Sequence, residues 1–276
     1  IAGLVKGANK GEGLGNQFLG QIRQASAIVH VVRCFENDNI IHVEGSIDPI
    51  RDAELIETEL LLADLQTIEK NINRLDKLAK KENNAQKELN VLLRLKDHCD
   101  KGKMARTFSS EEEEVNLIES LFLLTGKPIL YVANVDEIEI ANSKRNNYVS
   151  SLFDFAKNEN NIAIRLCGKI EQEIAVLNKK EKSLFLDEYN LQEPGLNKLI
   201  HAGFNLLDLE TYFTGGPKEV RAWTINKGST APQAAGEIHT DFERGFIKAE
   251  VYTYDDLMEF KSENNIKEHG KLRQEG

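Results

Sequence analysis

Two short strings carry side chains suited to reading a flat, polar ring. Asn134-Val135-Asp136-Glu137 closes the apolar run at 128–134 (PILYVAN), and Cys167-Gly168-Lys169 closes the run at 161–167 (NIAIRLC). A carboxylate such as Glu137 accepts hydrogen bonds from two neighbouring N–H groups of a base. A carboxamide such as Asn134 bridges a base and the loops beside it, and Gly168 offers a backbone N–H with no Cβ in the way. Glycines at 3, 7, 11, 13 and 15 add a segment whose amides can approach a phosphate. That segment does not match GxGxxG, and nowhere is Gly-Lys followed by Ser or Thr, so the chain contains no GxxxxGK[S/T] phosphate loop. Taken singly, each string also suits a plainer role: an ordinary β–α connection, or a flexible surface loop. Cys167 reads as a small residue packed at a strand end rather than as a reactive thiol.

The elements that must position these strings are legible as patterns. The runs at 27–33 (AIVHVVR), 128–134 and 161–167 are short, rich in Val and Ile, and separated by helical segments. Continuous apolar strands alternating with helices imply a parallel sheet covered on both faces, with ligands at the strands' carboxyl ends. Between the first two runs, Leu61, Leu65, Ile68, Ile72, Leu75 and Ala79 step alternately by four and three, the 3.5-residue period of a coiled-coil seam. Glu82-Asn83-Asn84 interrupts it, and Ala85, Leu89 and Leu92 resume an apolar stripe, which predicts an antiparallel helical hairpin. Ser110 with Glu113 has the spacing of a capping box opening a helix through Leu117, Ile118, Leu121 and Leu124, with Gly126 placed to end it. After about residue 208 the pattern changes: a strand at 219–225, a turn at Asn226-Lys227-Gly228, a short helix at 231–239 with Pro232 in its first turn, a strand at 245–252 and a helix at 255–261.

The chain has 276 residues, of which 41% are hydrophobic and 29% charged, enough for a packed core and not a disordered composition. Its net charge of −10 argues against a uniformly basic nucleic-acid coat but not against local patches. Cys34, Cys99 and Cys167 cannot all pair, none forms CxxC, and no HExxH is present, so a reducing cytoplasm fits better than a disulfide framework or a zinc site. No apolar run is long enough to span a bilayer, and no membrane partner is expected. The first residue is Ile1 rather than Met, and the opening glycine-rich stretch and the close at Gly276 both read as cut ends.

GTPases carry Asn-Lys-x-Asp where this chain has Asn134-Val135-Asp136-Glu137, and Ser-Ala-Lys where it has Cys167-Gly168-Lys169. Glu137 is a methylene longer than Asp, and Val135 lacks the Lys stem that covers the base, so selectivity for guanine should be weakened. Longer strings carry a resemblance to one family: Ile1-Ala2-Gly3-Leu4-Val5-Lys6-Gly7-Ala8 with Gly11-Glu12-Gly13-Leu14-Gly15-Asn16; Val31-Val32-Arg33-Cys34-Phe35; Arg221-Ala222-Trp223-Thr224-Ile225; Gly236-Glu237-Ile238-His239-Thr240-Asp241; and Gly245-Phe246-Ile247. Together with the Asn134 loop, these resemble the YchF family of Obg-like ATPases along essentially the whole chain. The resemblance implies an α/β fold of three parts: a Rossmann-like P-loop NTPase domain over 1–50 and 116–207, an inserted antiparallel helical hairpin over 51–115, and a C-terminal β-grasp (TGS) module over 208–276. The sequence stops before the family's last strands, which would leave the module an exposed edge. The cofactors implied are ATP, with GTP as the alternative, and Mg2+. Gly3 would be the switch glycine facing the γ-phosphate, and Leu4 would stand where Ras-like GTPases place a water-orienting Gln. Asn134, Val135 and Glu137 would read the base, with Gly168 adding its N–H. No metal ligand is identified, because the switch Asp would precede Ile1.

One feature stands without any family. Between Lys70 and Arg106 there are eleven Lys or Arg against five Asp or Glu, an excess of six positive charges in an acidic chain. Lys77, Lys80, Lys81, Arg94, Lys96, Lys101, Lys103 and Arg106 make this stretch a candidate arm for RNA or ribosome phosphates. The same charges also serve simply to solvate a coiled coil. The absence of aromatics from the helical part of the stretch favours backbone contact over base stacking. Two functions remain open at this point: an ATP hydrolase whose nucleotide state moves the glycine-rich switch, and a non-catalytic ribosome- or RNA-binding module regulated by nucleotide. Because the phosphate loop is absent, a polypeptide of these 276 residues is expected to release no phosphate from ATP. Magnesium-dependent turnover above the buffer rate would overturn that expectation.

Overall fold

The three apolar runs pair as parallel strands. The computed structural model describes residues 13–42, 44–79, 82–142, 144–216 and 219–276. Contacts divide the chain into two compact units, one ending at Leu207 and the other spanning Asp208–Gly276. In the first, β1 (Ile28–Arg33), β2 (Ile129–Asn134) and β3 (Ile162–Leu166) form one sheet in the order β1-β2-β3. Val32 lies opposite Ala133, and Ala133 opposite Arg165. The central strand β2 is buried along both faces, as its continuous apolar sequence requires. β1 differs from the expectation of a fully covered strand. Among the described residues it is an edge, and Val31 stands 59% exposed.

α1 (Gly13–Gln24) begins inside the segment read above as a glycine-rich loop, so Gly13 and Gly15 are helical; Gly3, Leu4, Gly7 and Gly11 lie outside the described residues. Packing explains the helix. Leu19, with Phe18 and Ile22 beside it, sits against Leu60 and Ala63 of α2 (Pro49–Ala79) and against Leu124. α2 is one unbroken helix of 31 residues, roughly 46 Å long at 1.5 Å per residue. It does not divide at the expected boundary near residue 51. Its Ala53 packs into the sheet core with Tyr131 and Ala133, while Leu61, Ile68 and Leu75 pack against α3 (Asn83–Asp100) through Leu89, Leu92 and Leu95. α3 folds back along α2, bringing Lys96 within 3.4 Å of Glu69. A short 3-10 turn (Ala105–Thr107) then leads to α4 (Glu112–Glu119). The capping box of α4 is Glu111 with Glu114, one residue later than the Ser110–Glu113 spacing suggested, and the helix ends before Leu121 rather than at Gly126.

Loop 121–127 leaves the helical register because α2 holds it by a buried carboxylate. Asp64, with no solvent exposure, accepts hydrogen bonds from the Leu124 N–H (2.8 Å), the Thr125 N–H (2.7 Å) and the Thr125 hydroxyl (2.8 Å). Arg23 of α1 stands 3.5 Å away and also donates to the Phe122 carbonyl and the Thr67 hydroxyl. Burial raises the Asp64 pKa above the usual carboxylate range, and the bonds from Thr125 and Leu124 and the Arg23 charge counteract only part of that rise. Two turns earlier on α2, Glu57 accepts from the Tyr131 hydroxyl and from Arg106, both at 2.8 Å. α5 (Glu137–Ala141), α6 (Asn147–Asn158), α7 (Gly168–Ala175), α8 (Lys179–Glu188) and α9 (Gly195–Leu206) complete this unit.

The second unit contains two antiparallel pairs. β4 (Leu209–Gly215) pairs with β5 (Val220–Asn226), and β6 (Ala249–Val251) with β7 (Arg273–Glu275). α10 (Ala231–Ile238), α11 (Thr240–Arg244), α12 (Tyr254–Phe260) and α13 (Glu263–Glu268) lie among them. The strand expected over 245–252 shrinks to three residues, because Gly245 caps α11 and pairing begins only at Ala249. Thr230 and Gln233 form a reciprocal capping box at the start of α10.

Replacing Asp64 by Ala removes the acceptor for two buried N–H groups and the partner of Arg23. A loss of about 3–5 kcal/mol is expected, the range for breaking a buried charged pair. Urea titration showing a loss under 1 kcal/mol would mean that the loop does not depend on this carboxylate.

Candidate functional site

The carboxyl ends of the three strands are stitched together before any side chain acts. The Cys34 N–H donates to the Asn134 carbonyl at 2.8 Å, and the Val135 N–H donates to the Leu166 carbonyl at 3.0 Å. Asn146, the N-cap of α6, donates its amide to the Cys34 carbonyl at 3.0 Å. Loops after adjacent parallel strands are thus held side by side, where open α/β sheets bind ligands.

On that frame Asn134 and Gly168 meet. The Gly168 N–H, first in α7, donates to Asn134 Oδ1 at 3.0 Å. This locks the carboxamide and leaves Asn134 Nδ2, without a partner among the described residues, free to donate outward. The Gly168 N–H is therefore engaged by Asn134 rather than offered directly to a base. Asp136 caps α5, its side chain accepting from the Glu139 N–H at 2.7 Å, and that cap sets Glu137 as the first helical residue. Glu137 forms an ion pair with Lys169, which holds its carboxyl below the usual range. Lys169 stood in the string read from sequence, next to Gly168, yet was not singled out; a cation three residues beyond a strand end, facing a carboxylate from the neighbouring loop, was the available signal.

Val135 requires a correction. Its side chain is 2% exposed and belongs to the core cluster with Cys34, Tyr131 and Cys167, so it cannot lie over a base. It follows the last residue of β2 and packs into the core, while Asn134 and Glu137 on either side are only half-buried. Cys34 and Cys167 are also buried, and burial pushes the Cys34 thiol up to about 12, which makes it a packing residue rather than a nucleophile. Gly3 and Leu4 lie outside the described residues. Among the described residues, no group of three His, Cys, Asp or Glu side chains is arranged to hold a metal.

The basic stretch separates into three classes. Arg106 is corrected: it is 15% exposed and inserted between Glu57 (2.8 Å) and Glu159 (3.4 Å), so it is a structural cation and not an RNA contact. Arg94 pairs with Glu114, Lys96 with Asp100 (2.6 Å) and Glu69, and Lys101 with Asp97 (2.6 Å). Lys77 and Lys103 are exposed and have no acidic partner among the described residues. Lys80 and Lys81 lie outside them.

With this geometry in place, the comparisons with known proteins are decisive. The chain is 53% identical to the ribosome-binding ATPase YchF of Bacillus subtilis, over 100% of this chain and 76% of that protein. The chain belongs to the YchF family. A YchF from Escherichia coli O157:H7 with the same description is 51% identical at the same coverage. The solved structure of the Schizosaccharomyces pombe YchF GTPase superposes with a TM-score of 0.82 at 36% identity, covering 100% of this chain and 75% of that one. Residues 209–276, nearly the whole second unit, match the family profile YchF-GTPase_C, described as a protein of unknown function (DUF933). The α/β fold with a parallel sheet agrees with that structural relative. No helix among the described residues is long and apolar enough to cross a membrane.

Replacing Asn134 by Ala should cost about 1 kcal/mol, the usual net worth of one hydrogen bond, and should speed hydrogen exchange at the Gly168 amide. Asn134→Asp keeps the acceptor and should keep the protection. Unchanged Gly168 exchange in the Ala variant would show that the Asn134 contact does not hold that amide.

Proposed function

We propose that this protein is an ATP-binding, ATP-hydrolysing ribosome-associated factor in which Asn134 and Glu137 read the nucleotide base. The single observation that supports this reading most directly is the pairing of Glu137 with Lys169 next to the Asn134–Gly168 bond, at the carboxyl ends of neighbouring parallel strands. Guanine presents two donors side by side, its ring N–H and exocyclic amine, and a free carboxylate takes both. Here one Glu137 oxygen is committed to Lys169. The remaining oxygen suits adenine, which asks for a single acceptor at its amine. The same pair keeps Glu137 ionised and fixed in direction, and Asn134 Nδ2 supplies the complementary donor. Relatives named ribosome-binding ATPases accord with both halves of the proposal.

The remaining parts follow as proposals. Gly3 would respond to the γ-phosphate, with Leu4 beside it in place of a Gln. Mg2+ would be held by groups other than those described here. The hairpin of α2 and α3 would be the arm that meets RNA, and the second unit would be a TGS-type module that also contacts the ribosome, with the whole working in the cytoplasm.

The base-reading proposal has a direct test in a chain that carries a Gly-Lys-Ser/Thr loop ahead of Ile1. Lys169→Ala frees the Glu137 carboxylate and should raise GTP affinity relative to ATP by about 10-fold, one extra charged hydrogen bond being worth about 1.5 kcal/mol. Val135 must be left intact, since a Lys there would enter the core. Equal ATP-to-GTP ratios before and after the substitution would remove Glu137 and Lys169 from base selection.

A further inference from the structure

The cations of the hairpin are not equivalent, and the difference points to a specific surface. Of the cations on α3 and at its C-cap, Arg94, Lys96 and Lys101 each have a carboxylate partner, and Lys87 alone has none among the described residues. On α2, Lys70, Arg74 and Lys77 are exposed and have none among the described residues. They stand at spacings of four and three, so they form one stripe on the helix, roughly 10 Å long. That stripe does not face open solvent alone. It forms one wall of a groove whose other wall is α1, with Arg23 at its base and Gln66 and Asn73 along its rim. Among the described residues no Asp or Glu lines this groove, in a chain that carries ten more negative than positive charges. Its described apolar lining is Leu19, Ala63 and Leu78, with no aromatic ring among the described residues on which a base could stack.

We propose that the groove between α1 and α2 is the RNA-binding surface of this protein and that it takes the phosphate backbone of a helical RNA segment, with Lys70, Arg74 and Lys77 as the contacting cations. This rests on the RNA-binding reading above and narrows it from the whole hairpin to the face of α2 that meets α1. The three paired cations and the single unpaired Lys87 present little net charge outward along α3, whereas an unpaired stripe of three releases counterions on meeting phosphates. Gln66 and Asn73 add neutral donors suited to phosphate oxygens and 2′-hydroxyls, and the missing aromatics fit recognition by shape and backbone. Arg23 is excluded from the contact set because Asp64, Thr67 and the Phe122 carbonyl already engage it. The occupant is RNA rather than an acidic protein segment because regularly spaced cations without a hydrophobic anchor match a repeating phosphate chain.

The test uses a 20-base-pair RNA duplex of arbitrary sequence and measures affinity across a salt series. Lys70→Gln, Arg74→Gln and Lys77→Gln together should lower affinity at least 10-fold and flatten the log–log salt slope by two to three units, at roughly 0.9 per charge. Arg94→Gln, Lys96→Gln and Lys101→Gln together should change affinity less than 3-fold. Gly20→Trp projects a ring into the groove from a position where an added Cβ meets nothing within 4 Å, leaves the charge unchanged, and should weaken binding several-fold. The sets alter exposed positions apart from the half-buried Lys96, and an unchanged melting temperature confirms folding. Duplex binding that survives the α2 triple or Gly20→Trp overturns the groove while leaving the RNA reading intact. No salt-sensitive duplex binding by the unsubstituted protein overturns both. Competition by polyglutamate as effective as by RNA assigns the groove to an acidic protein partner and overturns the RNA assignment.

Discussion

The fold turns on two carboxylates buried along one face of α2. Asp64 fastens the loop that delivers the chain into β2, and Glu57 fastens the β2 side chain Tyr131 and the cation of Arg106. Burying a carboxylate is unfavourable unless donors compensate; both Asp64 oxygens and Glu57 Oε1 find them from segments about fifty to seventy positions away. The consequence is positional. α2 cannot slide along its axis or rotate against the sheet without stripping those groups of partners, so the 31-residue helix is keyed to the central strand. Burial also holds the Tyr131 phenol in its protonated form, with Glu57 beside it as acceptor, so the key keeps its donor across the physiological range.

Keying α2 to β2 makes the hairpin an extension of the sheet rather than a separate appendage. The half of the helix near Ala53 belongs to the sheet core, and the half from Ile68 onward belongs to the core shared with α3. A helix continuous across both cores transmits orientation as a rigid rod, because bending it would open backbone hydrogen bonds with no Pro or Gly to absorb the kink. The strand ends that carry Asn134 and Glu137 and the cationic stripe at Lys70 to Lys77 are therefore positions on one body.

What could be read from the sequence divides along physical lines. The seam from Leu61 to Ala79 and the three β-branched runs were legible because periodicity reports burial directly, and the hairpin and the parallel sheet follow from it. Asn134, Glu137 and Gly168 were legible because they close apolar runs. Val135 was misread: a tetrapeptide motif names positions but not the direction of each side chain, and only the packing just past the strand end shows which residue turns inward. Asp64, Glu57 and Arg106 were hidden for a related reason. A charge beside an apolar seam looks like a solvated face until the distant partner is known. β4 was missed because Leu209-Glu210-Thr211-Tyr212 is largely exposed and lacks a continuous apolar run, so only its ladder with β5 defines it.

Arg23 connects these two themes. It rises from α1, the helix that follows the glycine-rich opening, and spans three anchors on other segments: the Asp64 carboxylate, the Thr67 hydroxyl one turn along α2, and the Phe122 carbonyl, in a residue held at a positive φ of 49°. Its geometry is thus fixed from both α2 and the loop before β2. A displacement of α1 relative to α2 has to carry this guanidinium away from a fully buried carboxylate, which would leave Asp64 with desolvation and one fewer compensating charge. The groove walled by α1 and α2 therefore resists small excursions of α1 and changes width only when the Arg23 contacts break together.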